Sequence, residues 1–358
     1  MKTETIRKYN VIGLMSGTSL DGVDIAHCQF VLTKGKWVFS IEAAKIFPYT
    51  TPWKTLLASA HHLSSEKLMQ LHAYYGNFLG GLCLQFIQKN KIKKIELIAS
   101  HGHTIFHQPK NKFTFQLGDG NALHAITGLP VVFDFRSLDV ALGGEGAPLV
   151  PIGDQLLFSD YGACLNLGGI ANLSMDAKGK RRAFDVCFCN MALNHLAAKA
   201  GKDFDENGML AKKGSVNQRL LRSVDRIYQA RRKKNPSLGR EGFEEDFQTL
   251  LDDESIALND RQRTVCESIA NEIALAVGQQ KQKLLATGGG AFNSFLIELI
   301  QSKISSHTKI IVPNKTIINF KEALVFAFLG VLRLRGEINV LKSVTGAVRN
   351  SCSGVLIG

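Results

Sequence analysis

The sequence lacks any apolar run long enough to cross a membrane or to serve as a secretory signal. Its longest near-continuous apolar run, Ala323 to Leu332, holds ten residues, whereas a membrane-spanning helix needs about 20. The first residues, MKTETIRKYN, are polar, and the apolar stretch behind them is interrupted by Gly, Ser, Thr and Asp. We therefore predict a cytoplasmic protein with no membrane partner, and a buried helix over the apolar run.

Paired cysteine motifs are also missing. The seven cysteines are scattered along the chain and form no C-x-x-C pair, so the sequence offers neither a usual zinc spacing nor a redox-exchange motif. An odd number of scattered thiols fits a reducing compartment better than a disulfide framework. This pattern supports the cytoplasmic prediction and disfavours a small secreted domain.

Acidic residues are fewer than basic ones, with 31 Asp and Glu against 43 Lys and Arg, which gives a formal net charge of +12. The basic residues are spread out, without an interleaved aromatic platform, so we expect no nucleic-acid partner and favour a small anionic substrate. The densest run, Arg231 to Lys234, lies beside Asn235 and Pro236. A solvated loop is the favoured interpretation of this run, and a phosphate-steering patch is the alternative.

The length of 358 residues favours two packed domains over one large core. Apolar runs and turn residues predict a strand over Tyr9–Leu14, a tight turn, a strand over Val23–Phe30 and a third strand over Trp37–Ile46. Helical spacing of apolar residues follows over Thr51–Lys89, and a strand over Ile95–Ser100. Strands, helices and a further strand describe an α/β domain.

A similar pattern restarts in the middle of the chain. A strand is predicted over Ala163–Leu167, and a glycine turn and a further strand follow it within LNLGGIANLS. The segment Ala183–Cys187 then leads to a helix that begins near Asn190. This approximate duplication suggests two lobes around a cleft, with the boundary between Pro130 and Pro151. The segment Gly143–Pro151, GGEGAPLVP, is interpreted as a hinge or merely as a turn.

Three glycine-rich turns are candidate nucleotide loops. GLMSGTSLDGVD, Gly13–Asp24, lies between two predicted strands, where backbone amides and hydroxyls can wrap an anionic phosphate. It is neither a Walker A loop nor G-x-G-x-x-G. LNLGGIANLS, Leu165–Ser174, and TGGGAFN, Thr287–Asn293, place glycines after further strand-like runs. Plain hairpins and strand-to-helix turns are the alternatives for all three.

Two further sets of polar side chains are candidates for binding. His101, His103 and His107 alternate along a strand-like segment, and because no clear carboxylate or thiolate completes a ligand set, a metal site is disfavoured. Arg136 carries a planar fork suited to a carboxylate. A structural salt bridge to a neighbouring Asp is the alternative for this arginine.

The first glycine turn matches every fixed position of G-x-M-S-G-T-S-x-D-G-x-D, the first phosphate loop of the anhydro-N-acetylmuramic acid kinases. The sequence resembles that family over nearly its whole length. His103 departs from the family's S-H-G-Q-T block, in which Gln is usual. Other family-like blocks are Ser100–Pro109, Phe115–Asp139, Gly143–Pro151, Phe204–Val216, Leu238–Phe247, Lys321–Gly330 and Ser343–Ala347.

The resemblance implies two α/β domains of the ribonuclease-H-like type, as in the actin and hexokinase superfamily, flanking a central cleft. It places the first domain over residues 1–135 with a return at about 340–358, and the second, with the adenosine site, over residues 136–340. The implied enzyme uses ATP and Mg²⁺. Water opens the 1,6-anhydro ring of anhydro-N-acetylmuramic acid, O6 takes the γ-phosphate, and the product enters peptidoglycan recycling. A small amino sugar is the expected partner, with a homodimer as a candidate assembly.

The resemblance also assigns roles by position. Asp21 and Asp24 are expected to organise the first loop or bound magnesium, with Asp21 as the metal candidate and a turn-capping carboxylate as its alternative. The implied cofactor-binding residues are Gly17, Thr18, Ser19, Asp21, Gly22, Asp24, Gly168, Gly169, Gly288, Gly289 and Asn293. The implied substrate-binding residues are His101, Arg136, Asn190 and Glu322. A helix-surface salt bridge would also explain Glu322.

The block that carries the catalytic aspartate departs from the family. F-D-T-G-P-G-N is usual, whereas residues 184–190 read FDVCFCN. By the resemblance, Asp185 follows a strand and accepts a proton from water or a sugar hydroxyl, and a helix N-cap is its alternative. Cys187 and Cys189 replace both glycines, and simple packing is their favoured role. The departure leaves a related sugar kinase, an ATPase or a non-enzymatic nucleotide-binding module as alternatives.

Overall fold

The computed structural model describes residues 7–234 and 238–358. Within these ranges no helix combines the length and the apolar character that a bilayer span requires. The strands are β1 (Lys8–Ser16), β2 (Gly22–Thr33), β3 (Lys36–Pro48), β4 (Leu97–Gln108), β5 (Phe113–Leu117), β6 (Val131–Phe133), β7 (Ala163–Leu167), β8 (Ile170–Ala177), β9 (Lys180–Phe188), β10 (Gln282–Thr287), β11 (Thr308–Ile311) and β12 (Val355–Ile357).

Helices follow the strands of each sheet. They are α1 (Thr51–Ser59), α2 (Ser65–Lys89), α3 (Gly120–Thr127), α4 (Ser137–Ala141), α5 (Val150–Leu157), α6 (Asn190–Ala198), α7 (Met209–Lys213), α8 (Gln218–Lys234), α9 (Arg240–Asp246), α10 (Gln248–Leu251), α11 (Leu258–Val277), α12 (Ser294–Lys303), α13 (Lys315–Leu334) and α14 (Lys342–Thr345). Short 3₁₀ turns occur at Ala60–His62, Pro109–Asn111, Glu206–Gly208 and Gly289–Phe292.

The chain forms two compact units. Unit 1 comprises Met1–Phe158 and Phe320–Gly358, and unit 2 comprises Ser159–Asn319. This division lies later than the predicted boundary at residue 135, because α5 packs against β3 and belongs to unit 1. The return to unit 1 begins before the predicted residue 340, because α13 lies close against β1, where an added Cβ at Gly13 would approach Ala323 O to 1.9 Å.

The sheet of unit 1 has the strand order β12-β6-β4-β1-β2-β3, with β5 paired to β4. Strands β1, β2 and β3 are joined as antiparallel hairpins, whereas β1 pairs with β4, and β4 with β6, in parallel. Because parallel strands end at the same edge of a sheet, the end of β1 comes beside the middle of β4, and Ser16 is in register with His103. This edge carries the first glycine turn.

The sheet of unit 2 repeats this plan. Its order is β11-β10-β7-β8-β9, with antiparallel β7, β8 and β9 and parallel pairing of β7 with β10 and of β10 with β11. In both units the first strand lies between the second and the fourth, which is the ribonuclease-H-like order. The predicted duplication and the predicted pair of α/β domains are confirmed.

The apolar run of α13 is buried as predicted. Ala323–Leu332 has no exposed residue. The ring centroid of Phe328 lies 5.3 Å from that of Phe30 in β2, and the ring centroid of Phe326 lies 5.6 Å from that of Phe135, which follows β6. Each large apolar side chain buried in this way contributes about 1.5–3 kcal/mol. The helix therefore anchors one face of the sheet that carries the first glycine turn.

The basic run Arg231–Lys234 is the last turn of α8, so the prediction of a loop is wrong. Helical spacing of buried Leu220, Val224 and Tyr228 extends the helix into this run. Arg231 pairs with Asp246 at 2.7 Å, and Arg232 pairs with Glu272. Asn235 and Pro236, the neighbouring residues that favoured the loop interpretation, lie outside the described residues.

Candidate active site

The turn between β1 and β2 presents backbone and hydroxyl groups to solvent. Leu20 N donates to Gly17 O at 3.4 Å, and Leu20 takes a left-handed φ of +59°. Thr18 and Ser19 are exposed, and Ser19 Oγ donates to the carboxylate of Asp21. The predicted strand, turn and strand are confirmed, and the exposed hydroxyls suit an anion-binding turn.

A group of carboxylates lies beside this turn. Burial, and then the negative charges of Asp21 and Glu322, raise the pKa of Asp24 to about 7. Glu322 is solvent-accessible, yet surrounding protein atoms limit its hydration and raise its pKa, which Arg136 and Lys321 oppose. Repulsion among these groups means that a bound cation would stabilise their ionised forms.

The two glycines Gly22 and Gly17 have different surroundings, and only one of them is required by the fold. A Cβ at Gly22 would lie 2.4 Å from Phe47 O, because Gly22 is in register with Pro48 in the β2–β3 pair. A Cβ at Gly17 would meet its nearest atom, Ser19 Oγ, at an ordinary 3.4 Å. The fold therefore requires Gly22, whereas the protein itself leaves space at Gly17.

We expect Gly17→Val to weaken ATP binding about tenfold or more, as for the loss of one hydrogen bond to a charged phosphate. The added Cβ has space in the protein, whereas the branched side chain obstructs a phosphate that approaches the backbone. The melting temperature should stay within about 2 °C of the unmodified chain. Calorimetric titration with ATP and thermal unfolding measure the two effects.

The contrasting variant is Gly22→Ala. Its clash with Phe47 O should lower stability by about 1–3 kcal/mol, so a loss of ATP binding in that variant is accompanied by a lower melting temperature. If Gly17→Val binds ATP as tightly as the unmodified chain, the phosphate-loop assignment of this turn is wrong.

His103 lies in a buried polar network at the base of the turn. Ser16 Oγ is 2.9 Å from His103 Nδ1 and 2.7 Å from the Tyr49 hydroxyl, which is hydrogen-bonded to the Tyr75 hydroxyl. Burial lowers the pKa of His103 to about 4, so the ring is neutral at pH 7. The histidine that replaces the usual Gln thus links β4 to the end of β1.

Arg136 holds His101 in one tautomer. Arg136 Nε donates to His101 Nε2 at 2.9 Å, so Nδ1 carries the proton and donates to Gly102 O, also at 2.9 Å. Burial and the charge of Arg136 keep the pKa of His101 well below its ordinary value. The structure therefore brings together two of the predicted substrate-binding residues as a neutral imidazole and a guanidinium.

The guanidinium of Arg136 has a second anchor. Nη1 donates to Gly146 O at 2.6 Å, while Nη2 has no hydrogen-bond partner among residues 7–234 and 238–358. Burial lowers the pKa of Arg136 to about 10, and nearby Glu322 opposes that shift. The group stays charged at neutral pH, with one nitrogen left for an anionic ligand.

A cavity of about 100 Å³ borders His101 within unit 1. This volume is several times the minimum for one ordered water, so a small polar substituent fits. The rest of the lining combines polar groups with two aromatic rings: His72, Ser100, Thr114, Phe115, Gln116, Gly118, Phe133, Asp134 and Ser137. Such a mixed lining suits a substituent of a sugar.

In unit 2, the second glycine turn supports the start of α6. Cys189 N and Met191 N donate to Gly169 O at 2.8 and 3.1 Å, and Asn190 N donates to Gly168 O at 3.0 Å. These bonds occupy the first amides of α6. A phosphate at this turn therefore has to use the amides of the turn itself rather than the N-terminus of the helix.

The third glycine turn lies directly against the second, because β10 pairs in parallel with β7. A Cβ at Gly288, whose φ is +80°, would lie 2.5 Å from Asn166 Oδ1, and one at Gly289 would lie 3.4 Å from Asn190 Nδ2. Asn190 Nδ2 also donates to Leu167 O at 2.9 Å. Asn190, predicted to bind substrate, therefore lies among the glycines predicted to bind nucleotide.

Asn293 caps the helix that follows the third turn. Its Oδ1 accepts from Leu296 N at 3.0 Å, at the start of α12. The turn lies between β10 and α12, so the strand predicted before it is confirmed. The expected contact of Asn293 with adenosine stays a prediction, since its Oδ1 already has this structural partner.

Asp185 lies within β9, in register with Asn172, rather than after the strand as predicted. Val, Cys and Phe favour extended backbone, so the strand continues to Phe188 where glycines and proline would end it. Asp185 Oδ2 accepts from Leu238 N at 2.9 Å. The N-cap of α6 is Cys189, so the N-cap alternative for Asp185 is wrong.

The two cysteines that replace glycines pack into the core of unit 2, as predicted. Cys187 and Cys189 are fully buried, and burial raises the pKa of Cys187 well above its ordinary value and that of Cys189 to about 12. Across residues 7–234 and 238–358 there is no cluster of three or more His, Cys, Asp or Glu suited to a metal ion. The side chains that replace the glycines therefore pack into the core of unit 2.

Comparison with known proteins decides the family. The family model described as anhydro-N-acetylmuramic acid kinase matches residues 9–357. The chain belongs to the anhydro-N-acetylmuramic acid kinase family. The anhydro-N-acetylmuramic acid kinase of Sulfurimonas denitrificans is 32% identical over 373 residues, covering 96% of this chain and 98% of that relative. The relative of the same name from Vibrio cholerae is 34% identical, with coverage of 96% and 97%.

The chain is also similar to a further relative and to one solved structure. The anhydro-N-acetylmuramic acid kinase of a Sulfurovum species is 34% identical, covering 98% of this chain and 99% of that relative. Component A of (R)-2-hydroxyglutaryl-CoA dehydratase from Acidaminococcus fermentans aligns with a TM-score of 0.44 at 13% identity, over 90% of this chain and 97% of that one. Membership of the kinase family rests on the sequence matches.

The predicted site residues fall into two groups. Unit 1 carries Gly17, Thr18, Ser19, Asp21, Gly22, Asp24, His101, Arg136 and Glu322, and unit 2 carries Gly168, Gly169, Asp185, Asn190, Gly288, Gly289 and Asn293. Sequence reasoning missed Gly146, which accepts a hydrogen bond from Arg136, and Asp139 and Thr345, which are linked to Gly146 by further hydrogen bonds. All three lie inside blocks that resemble the family, and this resemblance is the sequence feature that could have identified them.

Proposed function

We propose that this chain is an ATP-dependent kinase that opens 1,6-anhydro-N-acetylmuramic acid with water and phosphorylates its O6. The products are MurNAc-6-phosphate and ADP, in cytoplasmic peptidoglycan recycling. The observation that carries the proposal is the family match over residues 9–357. It is supported by the retention of Asp185, and by the burial of Cys187 and Cys189 away from solvent.

Asp185 is proposed as the general base. A carboxylate that accepts a proton from water makes the oxygen nucleophilic enough to attack the anomeric carbon. As the C1–O6 bond breaks, O6 gains negative charge and attacks the γ-phosphorus of ATP. The reaction consumes one water and one ATP for each sugar, and the proton of the water passes to Asp185.

Arg136 is proposed to bind the carboxylate of the lactyl ether. Its Nη2 is available, and its Nε and Nη1 are held by His101 and Gly146, so the guanidinium is oriented before the substrate arrives. His101 and Glu322 are proposed to contact the sugar beside it. Asn190 is a weaker candidate for the sugar, because its amide already supports the Leu167 carbonyl.

The nucleotide is proposed to use the three glycine turns, with Gly17, Thr18 and Ser19 on the phosphates. Asp21 and Asp24 fit a magnesium ion, since Mg²⁺ prefers oxygen ligands and takes only one or two protein carboxylates besides phosphate and water. The raised pKa of Asp24 supports this fit, because a cation would lower it again. When bound, the ion offsets the charge of the transferring phosphate.

The proposal is tested by ATP consumption with the purified chain against a panel of sugars: 1,6-anhydro-N-acetylmuramic acid, its analogue lacking the lactyl ether, N-acetylmuramic acid and N-acetylglucosamine. ADP release should require the anhydro sugars and should be accompanied by an equal amount of sugar phosphate. ADP release without sugar phosphate identifies an ATPase, and ATP binding without turnover identifies a binding module. Light scattering on the same sample tests the proposed homodimer.

A further inference from the structure

A buried carboxylate lies behind Arg136. Asp139 has no exposed surface, its Oδ2 accepts from Gly146 N at 2.8 Å, and its Oδ1 accepts from Thr345 Oγ1 at 2.8 Å. Gly146 in turn accepts from Arg136 Nη1 at 2.6 Å. A continuous hydrogen-bonded chain therefore runs from the C-terminal segment through Asp139 and Gly146 to Arg136, and on to His101.

We propose that Asp139 is a positioning residue that fixes the guanidinium of Arg136 for the substrate carboxylate, with Thr345 as its support from the C-terminal segment. This inference rests on the proposed role of Arg136. It explains why the blocks around residues 143–151 and 343–347, which have no catalytic group of their own, belong to the site.

The loop that carries Gly146 is held from two sides. Gly146 N donates to Asp139 and Gly146 O accepts from Arg136, so a movement of Gly146 that breaks one hydrogen bond also disturbs the other. Beside it, Glu145 N donates to Thr345 O at 2.8 Å. Gly144 passes so close that an added Cβ would lie 2.3 Å from Asp139 Oδ2. The carboxylate is therefore enclosed by the loop, and the loop cannot shift unless Asp139 moves with it.

Loss of Asp139 should affect Arg136 in a specific way. The Gly146 carbonyl would no longer be fixed, so the guanidinium would keep its bond to His101 but lose its fixed second anchor. An anion that needs Nη2 in one direction would then bind less well. The KM of a substrate without the carboxylate should stay the same. This difference between the two substrates distinguishes positioning of Arg136 from a general loss of structure.

The experiment compares KM and kcat for 1,6-anhydro-N-acetylmuramic acid and for the analogue lacking the lactyl ether. Asp139→Ala should raise KM for the lactyl sugar about tenfold, the effect of a lost charged hydrogen bond, with kcat changed less than about twofold. KM for the analogue should stay within about twofold. Asp139→Asn should retain KM within about threefold, since its amide can accept from Gly146 N and donate to Thr345 Oγ1.

Coupling to Arg136 gives a second readout. In an Arg136→Met background, Asp139→Ala should raise KM no further, because two residues that act through one contact are not additive. Equal increases in KM for both sugars, or additive effects in the double variant, would overturn the positioning role.

A milder variant covers the case in which Asp139→Ala does not fold. Thr345→Val removes one bond to Asp139 and should raise KM for the lactyl sugar alone, by about threefold. Thr33→Val, at the half-buried end of β2, is the matched control and should change neither KM. An unchanged KM in Thr345→Val would contradict the support assigned to the C-terminal segment.

If the unmodified protein consumes ATP with neither sugar, the proposed function fails. The positioning of Arg136 by Asp139 is then tested by a measurement that does not depend on activity. Nitrogen-15 NMR of arginine side chains, with the Arg136 Nε signal assigned from Arg136→Lys, reports whether that group is ordered. The signal should be sharp in the unmodified chain and in Asp139→Asn, and broadened or shifted in Asp139→Ala. An unchanged signal in Asp139→Ala would refute the inference on its own.

Discussion

Asp185→Asn is expected to lower sugar-dependent turnover by about 10²-fold or more, the usual effect of removing a general base. Asparagine has nearly the same shape, and its side-chain oxygen can still accept from Leu238 N. Folding and ATP binding should therefore be retained while proton transfer is lost. The measurements are ADP release with and without the anhydro sugar, calorimetric titration with ATP, and thermal unfolding.

Asp176→Asn is the matched control for this variant. Asp176 lies on neighbouring β8, is exposed, and pairs with Arg181 at 3.6 Å, so the same chemical change is made in the same sheet outside the site. Arg181 is buried although Asp176 is exposed, so the substitution can lower stability, and thermal unfolding is measured beside turnover. Turnover of the folded variant should stay within about twofold. Near-normal turnover of Asp185→Asn, beside such a control, would remove Asp185 from the mechanism.

The position of Asp185 shows what sequence patterns can predict here and what they cannot. The strands that precede residues 184–190 and the helix from Asn190 were predictable from apolar runs and turn residues. The end of the strand was not, because the family's glycines imply a turn that this chain replaces with residues that extend β9 to Phe188. The buried direction of Cys187 and Cys189 depends on which face of that strand packs inward.

The same contrast holds in unit 1. The glycine turn after β1 was predictable as a motif, but the separate reasons for Gly17 and Gly22 depend on the register of β2 with β3. Likewise, the sequence identifies Arg136 as a candidate partner for a carboxylate. The hydrogen bond between Asp139 and Thr345 behind it depends on packing of residues 206 positions apart in sequence. Contacts between residues so far apart produce no local periodicity in the sequence, so sequence patterns cannot predict them.

Turnover in ¹⁸O-labelled water is expected to place label on C1 of the sugar product and to leave the transferred phosphate unlabelled. An ordinary sugar kinase transfers phosphate to an existing hydroxyl, whereas opening the 1,6-anhydro ring adds water at the anomeric carbon. If Asp185 activates that water, the oxygen of the solvent becomes the C1 hydroxyl, and the original bridging oxygen stays on C6 beneath the phosphate. Every product molecule should therefore carry one solvent oxygen at C1.

The anomeric hydroxyl of the product can also exchange with solvent through ring opening, so the product has to be analysed early and beside MurNAc-6-phosphate incubated without enzyme. Mass spectrometry of fragments that separate C1 from the phosphate reads the two positions independently. Label in inorganic phosphate would indicate ATP hydrolysis, and the absence of early label at either position would indicate a kinase that phosphorylates a free hydroxyl.

In Asp185→Asn the rate of labelling at C1 should fall in proportion to ADP release, because both steps depend on the same activated water. Labelling that continued at the unmodified rate in that variant would show that water attack does not depend on Asp185.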